Sequence, residues 1–133
     1  MRRRGRGFWH GTYLSSKTGR EETYESSYEL RRFRALDASP LVLAWTKDHH
    51  RIRVAYRLFG KGHHYIPDIL VEFSDGGRAL EEVKGHIFGK AKFLKKRSAA
   101  RAFCALRGWE YRVIFRGGLD RVEGIPPARR TAI

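Results

Sequence analysis

The chain has 133 residues, a length usual for one folded domain, and sets 28 Lys and Arg against 14 Asp and Glu for a formal charge of +14. Apolar residues at 41% and aromatics at 13% suffice to fill a core, which excludes wholesale disorder, and the single cysteine, Cys104, excludes an internal disulfide and a multi-thiolate zinc site. So large a positive excess repels itself unless a polyanion is bound, which makes nucleic acid the expected partner while saying nothing of catalysis.

The N-terminus opens on Arg2, Arg3, Arg4 and Arg6 without the apolar stretch of a secretory signal, and no run reaches membrane-spanning length. A soluble protein of the reducing cytoplasm is expected, in a bacterium or a phage-infected cell, with virion association left open. Residues 1–22 read as a basic arm in which Arg2, Arg3, Arg4 and Arg6 are expected to contact DNA, with an aromatic patch at Phe8, Trp9 and Tyr13.

From Tyr24 to Leu36 a helix is predicted, because Glu25, Glu29, Phe33 and Leu36 share one stripe; Asp37-Ala38-Ser39-Pro40 ends it. Leu41–Trp45 is an apolar run that periodicity leaves open between helix and strand. Arg51–Leu58 alternates as a half-buried strand, Gly60-Lys61-Gly62 turns the chain, and Tyr65–Phe73 reads as a second strand interrupted by Pro67 and Asp68. Pro67 marks an edge or a bend. Ser74-Asp75-Gly76-Gly77 makes a tight turn into a third strand, Arg78–Lys84, on which Leu80, Glu82 and Lys84 point one way. Glu81 faces oppositely, solvated or paired with an arginine.

Lys90–Arg107 has helix composition with Gly108 as its stop, and Phe93, Ala99, Phe103 and Leu106 are expected to cover the sheet. Trp109–Phe115 supplies a fourth strand, and residues 117–133 read as a tail after a domain spanning 23–116. The predicted order is α-β-β-β-α-β, its first three strands forming a meander.

Folding the hairpin about Asp75-Gly76 sets Asp68 close to opposite Glu82, so two carboxylates and Lys84 gather at one sheet position. Facing carboxylates repel, and acidic residues are disfavoured in strands, so a divalent cation between them supplies the physical reason. Mg2+ or Mn2+ suits an all-oxygen set. The doublets His49-His50 and His63-His64 lack a partner spacing for zinc and are read as surface or DNA-contacting residues; His86 is left outside the site.

The run Ile66-Pro67-Asp68, thirteen intervening residues and then Glu82-Val83-Lys84 resembles the signature of the PD-(D/E)XK nuclease superfamily over residues 23–116. More narrowly, Ser26-Ser27-Tyr28-Glu29, Asp37-Ala38-Ser39-Pro40, Trp45 and Pro67-Asp68 look like TnsA-type endonucleases and phage head-completion nucleases. The resemblance implies an α/β fold with an αβββαβ restriction-endonuclease-like core and a mixed central sheet. It implies Asp68 and Glu82 as metal ligands, the Val83 carbonyl as a further ligand, Lys84 as the water-orienting group, and Glu29 as an additional metal or water ligand.

Glu29 also fits a capping box on Ser26, and Glu25 stands one turn earlier on the same stripe, so the helix carboxylate of the site stays open between them. Lys90, Lys92, Lys95, Lys96 and Arg97 follow the catalytic strand and are expected to hold DNA phosphates. The expected function is a Mg2+- or Mn2+-dependent DNA endonuclease of a phage or mobile element. Two alternatives stand beside it: a noncatalytic basic DNA-binding or virion-assembly protein, and a homodimeric Holliday-junction-resolving enzyme.

Overall fold

The computed structural model describes residues 2–4, 8–47, 52–85 and 89–126; Arg6, His49, His50, Arg51 and His86 lie outside them. In chain order the elements are β1 (Arg2–Arg4), β2 (Phe8–Leu14), β3 (Glu21–Tyr24), α1 (Ser27–Ala38), β4 (Val42–Thr46), β5 (Val54–Leu58) and β6 (Lys61–Tyr65). There follow β7 (Ile69–Phe73), β8 (Arg78–Lys84), α2 (Lys90–Ala105), β9 (Glu110–Phe115) and a 3-10 turn at Arg116–Gly118.

The central sheet runs β4-β7-β8-β9. Its first two pairings are antiparallel, whereas β8 and β9 are parallel, so the sheet is mixed. A parallel neighbour needs a crossover, and α2 supplies it. Residues of β8 alternate between the two faces: Ala79 and Val83 join the core under α1, while the Leu80 backbone meets Cys104 of α2. The two helices therefore flank opposite faces of one α/β sheet.

The first strand of that sheet is not the one expected. Arg51–Leu58 was the predicted start of the meander, but β5 pairs with β6 in a separate two-stranded hairpin and packs on α2. Its place in the sheet is taken by β4, the run left open between helix and strand. A register shift between Val42 and Ala44 breaks the two-residue period there, which is why alternation does not announce it. The predicted strand Tyr65–Phe73 is split as well, since β6 ends at Tyr65 and β7 begins at Ile69, with Pro67 and Asp68 between them.

α1 starts where its cap says it should: Ser26 is extended, and its hydroxyl accepts the Glu29 amide at 3.1 Å. Phe33 and Leu36 are fully buried, and the Phe33 ring lies 4.6 Å from that of Trp45. Residues on both sides of 23–116 join this core. Tyr13 of β2 packs on Phe33, its hydroxyl donates to Asp37 at 2.7 Å, and Leu119 and Ile125 are buried. On α2, Phe93, Ala100 and Cys104 are buried and Ala99 and Phe103 half-buried, whereas Leu106, expected on the sheet, is 84% exposed at the helix end.

Candidate active site

The β7–β8 turn fixes the register of the site. Gly76, at φ +94, donates its amide to the Phe73 carbonyl, and the Gly77 amide reaches Asp75 Oδ1 at 3.0 Å. Ile69 then pairs with Glu81 and Leu70 with Leu80, so Asp68, one residue before β7, falls level with Glu82 and Val83. Its Oδ2 accepts the Val83 amide at 2.8 Å. The carboxylate thus stands in for the next rung of the ladder, and Pro67, which has no amide proton to offer, ends the regular pairing just before it.

Glu82 points away from α1 and is held by the hairpin. Tyr65 Oη donates to its Oε1 at 2.6 Å and shares a 2.9 Å hydrogen bond with Tyr111 Oη of β9. Burial, then the charge of Glu82, pushes the Tyr65 hydroxyl above its ordinary 10, so it stays a donor. On the other side, Lys84 Nζ lies 3.5 Å from Glu82 Oε2. Lys96 of α2 lies over the Tyr65 ring, its Nζ 5.0 Å from the centroid. Burial, then Lys92, draws the ammonium of Lys96 below its ordinary value, against the pull of Glu82.

Glu29 approaches from α1. Its Oε1 accepts the amide of Glu25, the residue before the Ser26 cap, at 2.9 Å, and also the Lys47 ammonium at 2.6 Å. The backbone contact and the charged contact are therefore made by the same carboxylate. The Glu25 side chain is 70% exposed and 3.5 Å from Lys47, against 12% for Glu29. Burial would lower the pKa of Lys47, but the bond to Glu29 and the charges of Glu29, Glu25 and Asp68 outweigh it and raise the value.

Burial and the neighbouring carboxylates make the charged form of Asp68 costly. Burial first, then the charges of Glu82 and Glu29, pushes its carboxyl from an ordinary 3.8 up to about 8, against the pull of the Val83 amide and Lys47. Among the described residues no set of three His, Cys, Asp or Glu side chains stands ready to enclose a metal. Mg2+, however, keeps most of its water and is held through one or two carboxylates, and a pair of acids that crowd each other beside a lysine suits such a cation. By donor chemistry Asp68 and Glu82 fit it.

Asp68, Glu82, Lys84 and Val83 come together as one cluster, with Glu29 joined to it through Lys47 and the field on Asp68. Lys90, Lys92 and Lys95 are exposed on the first half of α2, and Arg97 leans on the Phe93 ring at 5.7 Å. Lys96, expected only as a phosphate contact, faces Glu82. Arg2, Arg3 and Arg4 lie on β1, paired with β2. His63 and His64 are exposed on β6, and the His63 ring stacks on Tyr56 at 5.3 Å.

Tyr65, Tyr111 and Lys47 were not singled out by their sequence. The one available signal was that Tyr65 closes a strand three residues before Asp68; Lys47 follows a strand that periodicity did not reveal. Glu81, facing away from the site, takes the arginine-paired course of its two expected ones: Arg32 Nε and Nη2 bond it at 2.7 Å each, both side chains being buried.

A family model described as TnsA-like endonuclease N terminal matches residues 39–115, more than half of the chain, and takes in Asp68, Glu82 and Lys84 while stopping short of Glu29. The chain belongs to that family, which is related to the PD-(D/E)XK nucleases. No curated protein gives a significant match to it.

Proposed function

We propose that the protein is a divalent-metal-dependent DNA endonuclease that hydrolyses phosphodiester bonds, with Asp68 and Glu82 as the metal ligands. The observation that supports this most is the juxtaposition of these two acids at one register position of the β7–β8 hairpin, Asp68 bonded to the Val83 amide and Glu82 3.5 Å from Lys84, where burial and then the charges of Glu82 and Glu29 push Asp68 up to about 8. The binding-protein alternative has the acids balance arginines inside the fold. Glu81 does so with Arg32, but the contacts of Glu82 are Tyr65 and Lys84, and Asp68 takes a backbone amide.

In this reading Mg2+ or Mn2+, when bound, polarises the scissile phosphate and lowers the pKa of a water. The chain's own groups do the rest. Tyr65 fixes the rotation of Glu82, and the Val83 amide fixes that of Asp68. Val83 would add its carbonyl to the ligand set. Lys84 orients the attacking water and offsets the charge that grows on the phosphoryl oxygens. Lys47 restrains Glu29, whose carboxylate serves the same water or ion. Exposed Lys90, Lys92 and Lys95, with Arg97 and the β1 arginines, hold the phosphate backbone.

A junction-resolving version would place two copies on one branched DNA. The test is cleavage of supercoiled and four-way-junction DNA with Mg2+ or Mn2+, chelator serving as the blank. Cutting that needs metal and vanishes in Asp68→Ala and Lys84→Ala is the expected result. DNA binding without cutting, unchanged in Asp68→Ala, overturns the enzyme reading.

A further inference from the structure

The β5–β6 hairpin has a feature that folding does not require. Leu58 pairs with Lys61, leaving the two-residue turn Phe59-Gly60, and both residues have positive φ, +50 and +79. That backbone belongs to a type I′ turn, whose first position favours Asn, Asp or Gly. Phe59 is the one non-glycine residue with positive φ among the described residues, and its side chain is 89% exposed. A bulky residue here is strained and gains no burial in return, so an outlier of this kind points to contact with a partner.

The chemistry around the tip says which partner. One face of the hairpin is used up, with Val54, Tyr56 and Tyr65 buried against Ala100 of α2. The other face presents Arg53, Arg57 and His64, while Lys61 and His63 stand on the first face beyond the part that α2 covers; all five are exposed, and residues 52–65 contain no Asp or Glu. An aromatic tip on a basic, acid-free ribbon matches a wedge that enters a base step while its flanks hold phosphates. The other end of the ribbon is Tyr65, bonded to Glu82. Five residues of strand put the tip about 17 Å from that bond, a span of roughly five base pairs.

We infer that the β5–β6 hairpin is a DNA-deforming element, with Phe59 inserting between stacked bases of the substrate held at the Asp68–Glu82 site. The inference rests on the nuclease reading above and deepens it. It predicts a preference for DNA that unstacks at low cost, such as branched, nicked or flexible pyrimidine–purine steps.

The experiment uses the full chain in chelator, so that nothing is cut, with duplex and four-way-junction DNA bearing 2-aminopurine. Affinity comes from anisotropy and unstacking from the 2-aminopurine fluorescence. The native chain is expected to raise the fluorescence, and Phe59→Ala to abolish the rise and weaken binding about tenfold. Phe59→Asn suits the turn better, so it should raise the thermal midpoint yet lose the same binding, which separates the effect from misfolding. A fluorescence rise or an affinity that survives both substitutions overturns the wedge alone. So does Phe59-dependent binding to anionic vesicles with DNA binding untouched. No DNA binding by the native chain overturns both the wedge and the nuclease reading.

Discussion

Glu81 and Glu82 are adjacent on β8, both buried, and live in opposite electrostatic worlds. Glu81 faces α1, where a bidentate guanidinium matches both its oxygens and the spare Arg32 donor reaches the carbonyls of Leu119 and Arg121 at 3.0 and 2.7 Å. Glu82 faces the hairpin and α2, where it has a tyrosine hydroxyl, a lysine at 3.5 Å and the repulsion of Asp68. The first face is fully satisfied and so contributes to one defined packing. The second is left short of positive charge, which is the condition for taking up a cation. Strand alternation, which throws successive side chains to opposite sides, lets a single strand serve both ends.

The comparison is broken most severely by Arg32→Ala, which strands the Glu81 charge in the core. It is expected to cost about 3–5 kcal/mol, a large part of a small domain's stability, read as a fall in the urea midpoint. Lys84→Ala tests the other face. It should lower the cleavage rate by about 10²–10³ while leaving the midpoint unchanged. A smaller effect is expected for Tyr65→Phe, which keeps the packing but frees Glu82 to rotate. Mn2+ titration should show affinity reduced about tenfold.

The pH dependence tests the second face without removing a contact. The folded-state pKa of Asp68 is raised, so between 3.8 and about 8 the folded chain holds a proton that the unfolded chain has released. The contribution to stability is full below that window and is lost as pH rises through it. Thermal midpoints without metal should therefore decline over this range, and less steeply in Asp68→Asn. Added Mg2+ should restore more at the alkaline end than at the acid end. A midpoint that rises with pH in both chains, with no effect of metal, would mean that the second face is as self-sufficient as the first.

The site was more legible in the sequence than the fold. Asp68 and Glu82 are joined by one tight turn, and the glycines of Ser74-Asp75-Gly76-Gly77 fix their register locally, so counting residues across that turn suffices. Where a strand finds its partner is a tertiary matter: the alternation of Val54–Leu58 identifies a half-buried strand but not that it leaves the main sheet for α2. β4 is hidden by its irregular register, and Leu43, in the middle of its apolar run, is 57% exposed. Lys47 and Tyr65 escape for the same reason, since each acts on a carboxylate eighteen or seventeen positions away in the chain.

The two nearest carbonyls that complete Arg32 come from residues 87 and 89 positions further along the chain. The segment after the last strand is therefore coupled to the first helix through one buried side chain, and loosening the strap through Leu119 and Arg121 would be felt at the Arg32–Glu81 pair in the core.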